Sequence, residues 1–185
     1  EAALEAIAAA SRETGVTIAA LSATYNMIHP DIAVRERGMK RLDVALAAAA
    51  KLAIPLVTLC TGTRDPDDQW RHHPDNQTPE AWRDLAIEME KAARLAEAYG
   101  VNLGVEPEQA NVVRDADDAL RLMRDVPSAA IRIVLDPANL FEHADRAEAR
   151  RIVADAIEKL GERIALAHAK DRDASGNFVT AGRGV

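Results

Sequence analysis

Val101-Asn102-Leu103-Gly104-Val105-Glu106 is a short apolar run that ends on a carboxylate. The pattern recurs twice, as Ile131-Arg132-Ile133-Val134-Leu135-Asp136 and as Ile164-Ala165-Leu166-Ala167-His168. Apolar runs of this length, flanked by helix-patterned stretches, read as buried strands. In a parallel barrel all such strands deliver their last residues to one mouth. Glu106, Asp136 and His168 are therefore expected to meet, although about thirty residues separate each from the next.

Working outward from these runs, Ile54 to Cys60 is a further apolar strand leading into Thr61-Gly62-Thr63. Val16 to Ser22 reads as an earlier strand, emptying into the loop Tyr25 to Pro30. Helices are expected over Ala2 to Glu13, Asp31 to Leu52, Thr78 to Tyr99, Asp115 to Arg124 and Arg146 to Leu160. Thr78 suits a cap and Pro79 the first turn, while Gly100 marks the end of the third helix. Strands alternating with helices imply parallel pairing through right-handed crossovers, either in an open doubly wound sheet or in a closed eight-stranded barrel. The phosphate-binding glycine fingerprint of the first is absent. A complete barrel takes about 250 residues. The chain has 185, opens on a helix and closes on Gly182-Arg183-Gly184-Val185 without a further strand. The expectation is one α/β domain over residues 1–185, with about five β/α units of a (β/α)8 TIM barrel, incomplete at both ends.

Composition bounds the partners. A hydrophobic share of 48% with 29% charged residues suits a soluble domain with a sizeable core, and aromatics at 3% leave packing to close, alanine-rich helix contacts. A formal charge of −7 argues against a protein that tracks nucleic-acid phosphates. Cys60 is the only cysteine, which excludes an intrachain disulfide and a cysteine-rich zinc cluster and makes a reducing, cytoplasmic setting the expectation. No apolar run approaches the roughly eighteen residues of a membrane span, and the acidic start lacks the regions of a signal peptide.

Strand alternation puts Gly104 with Glu106, Val134 with Asp136 and Leu166 with His168, so each candidate ligand continues the row facing one side. Two carboxylates and one imidazole suit a single divalent ion such as manganese, magnesium, cobalt or zinc. Taken singly, Glu106 and Asp136 read equally as caps of helix amino termini, and His168 as a core imidazole. Taken together they favour a cation, because burying two carboxylates side by side is costly without compensation. Glu108 and Lys170 lie two residues beyond Glu106 and His168, which aims them at the same mouth or leaves them as solvated rim charges. The connection from Gly62 to Gln77 is long and chemically dense, as befits either an active-site loop or a polar insertion. Within it His72 and His73 are candidates for substrate hydroxyls, and Trp70 for stacking on a sugar or for anchoring the loop. Cys60 reads as packing, and Asp171 as a cap of a following turn.

The motifs Gly104-Val105-Glu106-Pro107, Leu135-Asp136-Pro137-Ala138-Asn139, His168-Ala169-Lys170-Asp171 and Gly182-Arg183-Gly184 resemble, in order and spacing, those of the xylose isomerase-like barrels. That family includes sugar phosphate isomerases and epimerases, tagatose epimerases and inosose dehydratases. The resemblance implies that the visible strands correspond to the third through seventh of the barrel and that Glu106, Asp136 and His168 are three metal ligands. It implies a substrate contact at Asn139, a residue that is equally suited to organising its own turn. The family's fourth ligand, usually a glutamate of the eighth strand, has no counterpart in this sequence.

The resemblance thus implies a metal-dependent isomerase or epimerase of a small sugar, keto-sugar or polyol, working by proton transfer through a metal-stabilised enediolate with Glu106 as base and ligand. An inosose-type dehydratase and a noncatalytic metal- or sugar-binding barrel are the rival expectations. The related endonuclease IV group needs additional histidines, and Arg172 to Val185 contains none. The alanine-rich helices suit a homo-oligomer and are equally explained by packing on the barrel.

Overall fold

The computed structural model describes residues 1–185. Its elements run α1 (Ala2–Thr14), β1 (Leu21–Ser22), α2 (Ile32–Lys51), β2 (Leu56–Leu59), α3 (Pro79–Tyr99), β3 (Asn102–Val105), α4 (Ala116–Asp125), β4 (Ile131–Leu135), α5 (Arg146–Leu160), β5 (Ile164–Ala167), β6 (Lys170–Arg172) and β7 (Phe178–Thr180). Side-chain oxygens of Asp31, Thr78, Asp115 and Asp145 accept backbone N–H groups at the starts of α2, α3, α4 and α5, satisfying donors that the helices leave over. Gly100 ends α3 at φ 67, a left-handed conformation that costs other residues free energy. No helix is long and apolar enough to cross a membrane.

Strands β1 to β5 form one all-parallel sheet in chain order, with helices on the crossovers: five units of a TIM barrel. The outer face carries Val57, Leu59, Leu103, Val105, Ile131 and Ile133, which share one core with Leu42, Leu46, Leu85, Met89, Leu122 and Leu160 of the helices. Ala49, Ala92, Ala96 and Ala119 are completely buried there, in keeping with the close helix packing expected of so few rings. Helix α1 buries none of its residues.

Two expectations need correction. The first strand is not Val16 to Ser22: only Leu21 and Ser22 pair, with Val57 and Thr58, because β1 has a neighbour on one side alone and Val16 is exposed. Nor does the chain after His168 lack strands. β6 and β7 form an antiparallel hairpin outside the main sheet, with Arg172 opposite Phe178. The Asp173 carboxylate accepts the N–H groups of Ser175 and Asn177, each at 2.9 Å, and so builds the turn. Strands of three residues are too short to show a period of two.

Pairing along β4 and β5 shifts register between Ile133 and Val134: Ile133 lies opposite Ile164, but Val134 lies opposite Leu166. Ala165 is left unopposed, and from there on Leu135 faces Ala167, with the His168 N–H donating to the Leu135 carbonyl at 2.9 Å. A one-residue slip exchanges the faces of a strand, so this bulge puts His168 in the row of Asp136.

Buried polar side chains tie the loops above the sheet. Asn26, after β1, donates to the Thr63 carbonyl at 2.8 Å and accepts from the Thr63 N–H at 3.0 Å. Asn76 accepts the Arg64 N–H at 2.7 Å and donates to the Ala110 carbonyl at 2.9 Å, while Asn111 accepts the Gly62 N–H at 2.7 Å. Arg35 of α2 and Arg64 of the loop both donate to one carboxylate oxygen of Asp84 on α3, at 2.8 and 2.7 Å. Burial alone would raise the Asp84 carboxyl, but these two hydrogen bonds outweigh it and hold the group below the ordinary carboxylate range.

Stability from this pairing is therefore complete above the ordinary carboxylate pKa of about 3.9 and is lost as pH falls through the depressed native value. Asp84→Asn should flatten the acid limb of a melting-temperature profile; an unchanged limb would mean that the pairing contributes nothing. Gly104 supplies a second test. A Cβ there would lie 2.8 Å from Val134 Cγ2, on a β-branched side chain with little rotamer freedom, and 3.2 Å from Leu56 Cδ1. Gly104→Ala should cost about 1 to 3 kcal/mol by overpacking, measured by urea denaturation.

Candidate metal centre

Glu106, Asp136 and His168 each follow the last residue of their strands, β3, β4 and β5, and offer ligand atoms that all lie within 4.8 Å of one another. His168 Nδ1 is 3.5 Å from Glu106 Oε1 and 3.6 Å from Asp136 Oδ2. Donors bound at about 2.1 Å in adjacent positions around one ion are about 3 to 3.5 Å apart, so the set fits a single divalent cation. The donor chemistry, two hard carboxylate oxygens and one imidazole nitrogen, does not select among manganese, magnesium, cobalt and zinc.

Asp136 is both a cap and a candidate ligand: Oδ1 accepts the Ala138 N–H at 3.0 Å in the short turn Pro137–Asn139, while Oδ2 faces His168. Glu106 caps no helix. Its Oε1 accepts from Asn139 Nδ2 at 2.7 Å. The His168 side chain is 41% exposed, which excludes a core imidazole.

Asn139 is buried and does more than hold its own turn. Its Oδ1 accepts from Lys170 Nζ at 2.8 Å, so one amide links the Glu106 carboxylate to the Lys170 ammonium. Lys170 Nζ also lies 3.2 Å from Asp136 Oδ2 and supplies compensating charge. Burial raises the Glu106 carboxyl above the ordinary range; the neighbouring Asp136 adds to the rise, while His168 and Lys170 oppose it. Glu108 is raised by burial as well, against the pull of Lys170.

A cavity of about 350 Å³ opens beside this cluster, lined by Glu106, Glu108, Asn139, Lys170 and Trp70 together with Thr24, Thr58, Leu59, Cys60 and Phe178. That volume is near the lower end of small-molecule sites, about 300 to 1,000 Å³. Of the residues singled out in the sequence, His72 and His73 do not line it. His73 instead accepts the Asp75 N–H and caps the short turn Pro74–Gln77, and His72 is exposed. Most of the chemistry in the loop from Gly62 to Gln77 is structural, since Arg64, Asp65 and Asn76 bind the loop itself or its neighbours, and only Trp70 reaches the cavity. Asp171 accepts the N–H groups of Gly182 and Gly184, at 2.7 and 3.2 Å, which is a cap on the closing glycine turn and not an orienting contact to Lys170.

Phe178 and Thr24 escaped the sequence reading. Thr24 carries no signal of its own, whereas Phe178 follows the turn-forming Ser175-Gly176-Asn177 and is one of only two phenylalanines.

Cys60, although it borders the cavity, is 3% exposed, and burial pushes its thiol up to about 12. The native protein should resist iodoacetamide at mildly alkaline pH and react only at its rate of unfolding, as followed by intact-mass spectrometry. Rapid alkylation of the folded protein would contradict this geometry.

The family described as xylose isomerase-like TIM barrel matches residues 1–185. No curated protein matches the sequence. Among solved structures, the chain is similar to L-ribulose 3-epimerase at a TM-score of 0.76 and 23% identity, covering 98% of this chain and 58% of that one. It is similar to 3-keto-D-glucoside 4-epimerase, YcjR, from E. coli at a TM-score of 0.72 and 16% identity, covering 94% and 68%. A third likeness is to the IOLI protein with a binding zinc atom, at a TM-score of 0.76 and 14% identity, covering 98% and 64%. At such identities the likeness shows the fold, and the chain spans about two thirds of the length of these proteins.

Proposed function

Because the chain belongs to the xylose isomerase-like TIM barrel family, we propose that it forms part of a divalent-metal-dependent isomerase or epimerase of a small sugar, keto-sugar or polyol derivative. The observation that carries this reading is the meeting of Glu106, Asp136 and His168 at three strand ends, within 4.8 Å, beside a cavity that Glu106 itself lines. The sugar epimerases among the similar structures, and the zinc in one of them, support it.

Glu106, Asp136 and His168 would hold the ion, which would supply Lewis-acid polarisation of a substrate carbonyl and so acidify the neighbouring C–H. Glu106, which lines the cavity beside the ion's place, would take that proton. The 2.7 Å bond from Asn139 fixes Oε1, leaving the carboxylate little rotational freedom. Lys170, 34% exposed at the cavity wall, donates to substrate oxygen where negative charge develops. Trp70 offers an apolar surface to the carbon skeleton. Return of that proton by Glu106 to the adjacent carbon, with the hydroxyl proton passing between the two substrate oxygens, gives an isomer; an epimer needs a second acid on the opposite face, a role that Glu106 does not fill.

Metal content by elemental mass spectrometry is the direct test. The parent protein should carry about one ion per chain, and a Glu106→Gln, Asp136→Asn, His168→Ala triple variant none, with both still folded by circular dichroism. Equal content in the two would remove the triad from the reading. Product mass decides the reaction class: isomers and epimers conserve the mass of the substrate, whereas loss of one water would make the protein a dehydratase.

A further inference from the structure

The chain has two tryptophans, two tyrosines and two phenylalanines. Tyr25, Trp82 and Phe141 are buried and Tyr99 is 36% exposed, whereas Trp70 and Phe178 are 54% and 55% exposed. Both of these most exposed rings line the cavity beside Glu106. Two exposed rings at one cavity give it an apolar wall suited to a ligand with an apolar face.

Phe178 is held, not loose. Its partner across the hairpin, Arg172, donates through Nε to the Ala138 carbonyl at 2.9 Å and through Nη1 to the Gly176 carbonyl at 2.7 Å, locking β6 and β7 onto the turn that carries Asn139. Lys170 Nζ lies 4.0 Å from the Phe178 ring centroid and Arg172 Cζ 4.1 Å from it, both within cation–π range. The ring thus touches the same ammonium that reaches Asn139 and Asp136.

We propose that Phe178 is a specificity-determining residue of this cavity. With Trp70 it takes the C–H face of a ring-shaped sugar or cyclic polyol, and through its contact with Lys170 it positions the cation that meets the substrate's oxygens. Sugars of this kind present axial hydrogens on one face and hydroxyls around the rim. Aromatic rings bind the former by dispersion, and Glu108, Asn139 and Lys170 provide polar partners for the latter. A three-carbon substrate has no such face and gains nothing from the rings. This inference rests on the assignment of the cavity as the substrate site, and it narrows the substrate class.

The test compares parent, Phe178→Leu and Phe178→Tyr proteins, all loaded with manganese, by NMR-detected binding of myo-inositol, D-fructose and dihydroxyacetone. Titration with manganese alone, run on the same samples, reports on the triad separately. Phe178→Leu should weaken the better-bound of the two larger probes by about fivefold, Phe178→Tyr should restore binding to within about twofold, and dihydroxyacetone should not distinguish the three proteins. The inference is overturned if leucine binds the larger probes as well as phenylalanine, if tyrosine fails as badly as leucine, or if dihydroxyacetone shows the same loss. It is also overturned if Phe178→Leu no longer takes manganese, since the ring would then be supporting the fold of the triad, or if the parent binds neither larger probe. Failure of the parent to take manganese is a different result and counts against the proposed metal enzyme itself.

Discussion

Register in the parallel sheet is the constraint on which the site depends. Strand alternation gives each residue one of two faces, and a slip of one residue exchanges them. Glu106 and Asp136 reach the mouth through regular pairing of β2, β3 and β4. His168 reaches it only because Ala165 stands out of register, after which β5 follows β4 residue for residue. Without that bulge Ala167 would stand opposite Asp136 and the imidazole would have turned to the other face. Bulges at strand ends beside functional sites commonly re-aim a side chain in this way.

Convergence creates an electrostatic problem that the local chemistry resolves. Two carboxylates meet where Asp136 is 2% exposed, and the cost of burying them grows as the local dielectric falls. Lys170 supplies part of the compensation at 3.2 Å, Asn139 shares a donor with Glu106, and the Ala138 N–H takes the second oxygen of Asp136. Glu106 keeps a raised pKa despite these partners, because burial is the largest influence on it.

The polar loops above the sheet are largely self-directed. Asn26, Asn76 and Asn111 are all buried, and their amides stand in for the backbone partners that irregular chain lacks. The Arg35, Arg64 and Asp84 cluster joins α2, the β2 loop and α3 by charge-assisted bonds. Rigid loops hold Trp70 at the cavity on one side, and the hairpin locked by Arg172 holds Phe178. Small-molecule sites combine apolar walls with a few fixed polar groups, and here both aromatic rings of the lining are carried by segments outside the sheet, beside Leu59 of β2.

Sequence alone determined the alternation of five parallel strands with five helices, because buried strands and capped amphipathic helices leave periodic apolar patterns and Asp, Thr and Gly at their ends. It also put Glu106, Asp136 and His168 at equivalent strand ends, which share one edge of a parallel sheet, while the turning of His168 to the common face was left to the pairing of β5. Tertiary structure decided what those patterns do not encode. The β5 bulge is a property of pairing between strands, and the hairpin of Lys170 to Thr180 is too short for a periodic signal. The dense loop from Gly62 to Gln77 spends its charges on itself, and His73 caps a turn, because a polar residue in a loop carries no mark of whether its partner will be backbone or ligand. Which of six aromatic rings stay exposed at the cavity depended on the final packing, for burial is decided by neighbours distant in the chain.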